Sequence, residues 1–319
     1  AAPHALQSLR YFYEEYPQVP VIAAGSLLEF ILSKHNFSMP VGRIEYLYLG
    51  PMNFEEFLLE TDSGLLDYLH NFDMTDSIPR TVHKRLLAIQ REFLFIGGMP
   101  EAVFRFVQTN QLNEAMAVHN SIIETYKDDF SKYVRENQLF RLHRVFNYVP
   151  FAVGEKVKYS NISRDDKARE LRIAVDMLAK AGLITRVYHS SCSGIPLNAQ
   201  ADISKFKLLF LDVGLMNRVF GLDWLSVNSM DERKLINEGA IAEQFIGQHL
   251  LYLVTGGHSP ELFYWLREQK TSNAEVDYVI ARGEMILPVE VKAGKSGSLK
   301  SLLLFCLEKK CHVGIRFDL

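Results

Sequence analysis

Residues 272–292 read Ser-Asn-Ala-Glu275-Val-Asp277-Tyr-Val-Ile-Ala-Arg282-Gly283-Glu-Met-Ile-Leu-Pro-Val-Glu290-Val-Lys292. Two runs rich in Val, Ile, Leu and Tyr flank Arg282-Gly283, the pattern of a β-hairpin whose glycine supplies the positive φ of the turn. Charges interrupt these apolar runs at Glu275, Asp277, Glu290 and Lys292. A two-residue turn at Arg282-Gly283 sets Asp277 opposite Pro288 and Glu275 opposite Glu290, whereas a four-residue loop sets Asp277 opposite Glu290. In either register Asp277, Glu290 and Lys292 share one face, because side chains alternate along a strand. An odd loop would separate them unless a bulge restored the match. Two carboxylates and an ammonium on an otherwise buried hairpin are costly unless they bind something. Hard oxygen ligands suit Mg²⁺ or Mn²⁺, and a neighbouring lysine can position a metal-bound water, which is the chemistry of phosphodiester hydrolysis. A structural ion-pair cluster is the alternative that the residues leave open.

Asp277 followed by Glu290-Val291-Lys292 resembles the Asp…(Asp/Glu)-x-Lys core of restriction-endonuclease-like nucleases. Tyr264-Trp-Leu-Arg267, Glu275-Val-Asp277 and Val289-Glu-Val-Lys292 together resemble the C-terminal domain of a family of bacterial and archaeal AAA+ ATPases. The resemblance implies that Asp277 and Glu290 hold Mg²⁺, or Mn²⁺, and that Lys292 orients the attacking water. An acid on the preceding helix completes the set in that family, and Glu243 of Glu238-Gly-Ala-Ile-Ala-Glu243 matches it. An inactive nuclease fold is compatible with the same motif.

Toward the N-terminus the resemblance continues. Residues 4–16 carry helical periodicity, and Val19–Ala24 is a short apolar run of buried-strand type that Gly25-Ser26 closes. An amphipathic stretch follows at Leu27–Leu32. These elements are similar to the second half of an AAA+ module, with Ser26 as its sensor residue at a strand tip and Arg43 of Val41-Gly-Arg43 as its phosphate- or neighbour-facing arginine. Pro51-Met-Asn-Phe-Glu-Glu-Phe57 and Gly97-Gly-Met-Pro100 match two further signatures of the family, the second marking its small helical lid. No Gly-x-x-x-x-Gly-Lys-Ser/Thr loop occurs, since the first glycine that Gly294-Lys-Ser296 would need falls at Val289. The family's acidic strand end for Mg²⁺ is absent too, so this stretch by itself should not hydrolyse ATP, and nucleotide is expected only in the intact protein. Ser26 and Arg43 are then remnants of a nucleotide site, the chain reads as a fragment, and homo-oligomerisation of the intact protein stays open.

Thr81–Phe95 and Asn113–Tyr133 are helical by pattern, as is Tyr126-Lys-Asp-Asp129 within the second, which matches a lid helix of the family. From Lys127 to Arg172 eleven Lys and Arg face seven Asp and Glu, a local excess of four positive charges in a chain of net charge −3. Ser163-Arg-Asp-Asp166 has the composition of a helix N-terminus, and the helix should run to about Ala181 with Gly182 past its end. Strand-like runs at Leu183–Tyr188 and Phe206–Leu211 follow. This order is that of a winged helix, and a recognition helix presenting Arg169, Arg172 and Lys180 is suited to gripping duplex DNA. Gly221–Met230 reads as a linker, Asp231–Thr255 as a long helix carrying Glu243, and Glu261–Leu266, Leu299–Glu308 and His312–Phe317 as strand, helix and strand.

The fold class expected is therefore α/β plus α. It comprises part of an AAA+ α/β module over 1–60, a helical lid over 61–130, a winged helix over 131–220 and a restriction-endonuclease-like α/β domain over 221–319. A length of 319 residues and 48% hydrophobic content allow cores of that size. The net charge of −3 confines any polyanion contact to local patches. Cys192, Cys306 and Cys311 have no metal-ligand spacing and form an odd set, which points to a reducing, cytoplasmic compartment. No apolar run reaches membrane-spanning length, and DNA is the partner that the winged-helix reading implies.

Overall fold

The structure, a computed structural model, describes residues 3–24, 45–73, 75–222, 238–253, 260–267, 274–293 and 298–319. Within them lie twelve α-helices and one six-stranded sheet, a mixed α/β architecture. The helices of the first half are α1 (Pro3–Glu15), α2 (Phe54–Thr61), α3 (Ser63–His70), α4 (Arg80–Ile96), α5 (Pro100–Thr109), α6 (Leu112–Tyr133) and α7 (Glu136–Tyr148). The one-turn α8 (Tyr159–Ile162) and α9 (Ala168–Lys180) precede strands β1 (Ile184–Ser190) and β2 (Ala201–Phe210). Then come α10 (Val213–Val219), α11 (Glu238–Tyr252), β3 (Leu262–Leu266), β4 (Glu275–Arg282), β5 (Met285–Lys292), α12 (Lys300–Lys309) and β6 (Ile315–Asp318).

Two sequence signatures of the helical half have structural causes. In Pro51-Met-Asn-Phe-Glu-Glu-Phe57, Asn53 caps α2: its side chain accepts from the Glu56 N–H at 2.8 Å, and Glu56 accepts from the Asn53 N–H at 2.7 Å. This reciprocal box satisfies two donors that a helix start otherwise leaves unpaired. Phe57 is buried, and its ring meets those of Phe93 and Phe106. In Gly97-Gly-Met-Pro100, Gly97 has φ +70° and Pro100 opens α5. The Gly98 N–H donates 2.7 Å to the buried Asp212 carboxylate, and a Cβ on Gly97 would lie 2.1 Å from the same group. Only glycine fits there.

The sheet has strand order β2-β1-β3-β4-β5-β6. β1 and β2 form the antiparallel pair expected as a wing, but the other edge of β1 pairs in parallel with β3, Val187 beside Leu262 and His189 beside Tyr264. The wing strands thus continue into the C-terminal sheet. β3, β4 and β5 form an antiparallel meander, and β6 runs parallel to β5. A single cluster of buried side chains extends from Phe57 to Val291, and a second, containing Cys192, Phe263, Trp265 and Phe305, lies beside α12.

Several expectations are corrected. Val19–Ala24 forms no strand, and Ile22 within it is exposed. A buried strand needs hydrogen-bonding neighbours, and no strand of the described residues pairs with it. Leu27–Leu32, Ser26, Arg43 and the linker 223–230 lie outside the described residues. α9 starts at Ala168 rather than Ser163, because Ser163 Oγ accepts from the N–H groups of Asp165 and Asp166 in a local turn. Such a side-chain turn competes with helix formation. The helix end is as expected, with Gly182 at φ +72° and Leu183 N–H bonded to Leu178 O. In the hairpin the turn is Gly283-Glu284, not Arg282-Gly283, and Arg282 pairs with Met285. Gly283 has φ +59°, the conformation that a two-residue turn with a leading glycine demands. Carried one residue beyond Tyr278↔Val289, this register sets Asp277 across from Glu290.

Candidate functional site

The site lies where α11 crosses β2 and β4. A bulge shapes it: Phe263 pairs with Val279 but Trp265 with Val276, so β4 carries one residue more than β3 across this interval. An extra residue re-aims its neighbours: Tyr278 reaches α11, and Asp277 faces β2 and β5. The Tyr278 hydroxyl donates 2.8 Å to Glu243 O, and Asp277 Oδ1 stands 3.9 Å from Lys207 Nζ. α11 is anchored by two buried glutamines. Gln244 accepts from Phe210 N–H and donates to Phe210 O, both at 2.8 Å, and Gln248 accepts from Val213 N–H at 3.0 Å. Farther along, His249 Nε2 accepts from Phe54 N–H at 2.8 Å, which leaves Nδ1 as the donor to Phe245 O. Burial holds that imidazole below its ordinary pKa.

Lys207 of β2 is the residue that the hairpin motif did not reveal. It is 2% exposed, and its ammonium lies 2.7 Å from Glu275 Oε1, 3.5 Å from Glu243 Oε2 and 3.9 Å from Asp277 Oδ1. Glu275 is held from its other side by Lys156 at 2.8 Å. Lys156 also bridges the backbone of Lys207, so the segment after Gly154 covers the outer edge of β2. Gly154 has φ +83°, and a Cβ on it would stand 2.7 Å from the Glu243 carboxylate. The signal for Lys207 was present in the sequence: it is the single charge within Phe206-Lys-Leu-Leu-Phe210, the same kind of anomaly as Asp277 in its own strand.

Glu290 and Lys292 pair with each other. Asp277 links this pair to the first group, because its Oδ2 accepts from the Val291 N–H at 2.8 Å. All four motif residues are therefore in one neighbourhood, but the acids are divided between two ammonium groups. Burial, then the Asp277 charge, raises the pKa of Glu290. Burial pushes Glu243 up to about 7, Lys207 opposing and the charges of Asp277 and Glu275 adding to the shift. For Lys207 the burial penalty is outweighed by Glu243, Glu275 and Asp277, and its pKa is raised. Glu290 Oε2 and Glu243 Oε2 have no hydrogen-bond partner among the described residues.

A divalent metal does not fit this arrangement. Mg²⁺ asks for several oxygens at about 2.1 Å in octahedral geometry, and no three His, Cys, Asp or Glu side chains among the described residues are gathered to hold a metal ion. The space that Glu243, Glu275 and Asp277 share is taken up by Lys207.

Elsewhere, Arg169, Arg172 and Lys180 are exposed on α9, well apart in sequence from the acidic cluster. Lys295 lies outside the described residues, and Lys300 begins α12 at the surface. Among the described residues no helix is long and apolar enough to cross a membrane.

Residues 88–226 match the model of a family described as a domain of unknown function, DUF8612. Residues 238–316 match that of DUF4143, also a domain of unknown function. Neither the curated proteins nor the solved structures gave a match. The DUF4143 match runs from the start of α11 into β6, and the DUF8612 match holds β1, β2 and Lys207. The acidic site is thus assembled from both matched regions.

Glu243 makes a pH dependence testable. The folded chain keeps its proton up to about pH 7, whereas the unfolded chain releases it near the ordinary value of 4.5. The native state binds more protons across that window, so this group's contribution to stability falls as the pH rises from 4.5 to 7. Urea midpoints of the wild type and of Glu243→Gln at pH 5 and pH 7.5 isolate it. The variant should show a loss smaller by about 2–3 kcal/mol. Equal losses in both proteins would mean that Glu243 titrates at its ordinary value.

Proposed function

We propose that the chain is a nucleic-acid-associated module of an AAA+-type protein that grips duplex DNA with the outer face of α9. Its C-terminal sheet is nuclease-like and serves as a scaffold. The observation that carries the DNA contact is the charge distribution around α9. Arg141 binds Asp166 at 2.8 Å and Glu170 at 2.7 Å, Arg144 also binds Asp166, and Arg186 binds Asp176. The two acids of the helix itself, Glu170 and Asp176, are paired with these arginines, while exposed Arg169, Arg172 and Lys180 form no ion pair among the described residues. Positions 169, 172 and 180 recur at helical spacing, so one face of α9 is left with uncompensated positive charge. Phosphate contacts of this kind position a protein on DNA without reading its sequence.

The AAA+ association is supported by the DUF4143 match, a domain often found with AAA ATPases. The nuclease-like assignment is supported by the order α11–β3–β4–β5–α12–β6 and by the register that sets Asp277 across from Glu290.

Anisotropy titrations with a labelled duplex test the reading. The combined Arg169→Ala, Arg172→Ala and Lys180→Ala variant should bind about tenfold or more weakly. The slope of log affinity against log salt should flatten by about 2–3, since each phosphate contact contributes about 0.9. Unchanged affinity and slope, or no binding by the wild type, would sink it.

The buried Glu290 Oε2, which has no hydrogen-bond partner among the described residues, favours a second reading in which a metal displaces the Lys207 ammonium: phosphodiester hydrolysis dependent on Mg²⁺ or Mn²⁺. It would be established by metal-dependent cleavage of labelled DNA that both Asp277→Ala and Glu290→Ala abolish.

A further inference from the structure

We infer that Lys207 is the resident cation of the acidic cluster: its ammonium, delivered by β2, occupies the place where the carboxylates of Glu243, Glu275 and Asp277 converge and keeps a divalent cation out. The inference rests on the scaffold reading of the C-terminal sheet and explains why the motif can be present without a metal centre.

The ammonium cannot withdraw easily. Lys207 lies within β2, paired to Val187 of β1 on one side and bridged by Lys156 on the other. Its side chain is almost fully buried, and the ring of Tyr264 lies 5.4 Å from Nζ, a second favourable contact for a cation. A buried ammonium persists only where opposite charge and hydrogen bonds compensate for lost hydration. Glu275 and Asp277 supply that compensation from within 3.9 Å, joined by Glu243 once it ionises. A divalent ion sharing those carboxylates would stand a few ångströms from the ammonium in a poorly screened interior, where like charges repel strongly. Cation and metal are therefore alternatives.

The arrangement has a second consequence. Lys207 belongs to the DUF8612-matched region, while Glu243, Glu275 and Asp277 belong to the DUF4143-matched region. The counter-ion of one region's acidic motif comes from the other, so each is electrostatically incomplete alone. A DUF4143 segment separated from its partner strands would carry three clustered acids without their cation.

Calorimetric titration of Mn²⁺ into the wild-type chain, Lys207→Met and the double variant Lys207→Met/Asp277→Asn tests the inference. Methionine keeps a comparable length without charge. The wild type should show no binding at millimolar Mn²⁺. Lys207→Met should bind one equivalent at least about tenfold more tightly than the wild type, with Mg²⁺ competing, and the double variant should lose it. Mn²⁺ binding by the wild type at submillimolar concentration would overturn the inference, and the scaffold reading with it. Failure of a folded Lys207→Met to bind would overturn the inference alone, leaving the DNA-contact reading to its own titration. Should Lys207→Met be unfolded without metal, recovery of a cooperative thermal transition on adding Mn²⁺ supports the exchange of cations, and no recovery in millimolar Mn²⁺ overturns it.

Discussion

Asp212→Ala should lower the stability of the chain by about 2–5 kcal/mol and its Tm by on the order of 10 °C. The carboxylate is fully buried and works in two directions at once. Oδ1 accepts from Leu215 N–H at 3.0 Å and caps α10, while Oδ2 accepts from Gly98 N–H at 2.7 Å and holds the turn between α4 and α5. Removing the side chain strands two buried donors, and each costs about 1–3 kcal/mol when no water replaces the partner. His119 stands close enough for its charge to lower the Asp212 pKa, against a larger upward push from burial. Its own ring is tied to Ile96 O at 2.8 Å. Asp212→Asn keeps one acceptor and should recover roughly half of the loss. Thermal unfolding followed by circular dichroism decides the matter. A shift of less than about 2 °C in the alanine variant would show that water or a backbone adjustment takes over both donors.

Gln244→Ala should be comparably damaging, with a loss of about 2–5 kcal/mol, because it leaves the Phe210 N–H and C=O at the end of β2 without the acceptor and donor that Gln244 supplies. Phe210 pairs with Ile184 on one side, and on the other Gln244 supplies both an acceptor and a donor, standing in for a neighbouring strand. The amide comes from α11, so this contact also joins the two family-matched regions. Urea unfolding of the wild type should be one transition by both circular dichroism and tryptophan fluorescence, with Trp265 reporting from β3. The variant should shift the midpoint with little change in slope. Two separated transitions in the wild type would contradict a continuous sheet acting as one cooperative unit.

Local pattern was enough for much of the fold. α4 and α6 fall within a residue of their expected limits, and the α11-to-β6 series appears in the expected order. Those elements are long or strongly periodic, and their hydrophobic spacing survives whatever they pack against. Ser163 shows the limit of local pattern. Its oxygen was suited to a helix cap, but the same hydroxyl satisfies a turn five residues before α9 begins. The hairpin register was undecided because two turns around one glycine are nearly equivalent in sequence, and shifting between them changes which acid meets Glu290.

For the candidate site the division is sharper. Asp277, Glu290, Lys292 and Glu243 were legible as charges where apolar residues belong, and the tertiary structure brings them into one neighbourhood. Lys207 was visible as the same anomaly in another strand, but nothing local says that a strand placed before a helix will lie beside Glu243 and Glu275. Sequence by itself determined the long, strongly periodic helices and strands, though not Val19–Ala24 or the start of α9, and which carboxylates would be costly to bury. Only the tertiary structure decided their partners. It joined Gly98 to Asp212 across 114 residues, ran β1 into the C-terminal sheet, and gave the acids Lys207 as a partner. The physical reason is that burying a charge sets a cost that any suitable counter-ion can meet, and which one meets it depends on how the sheet closes.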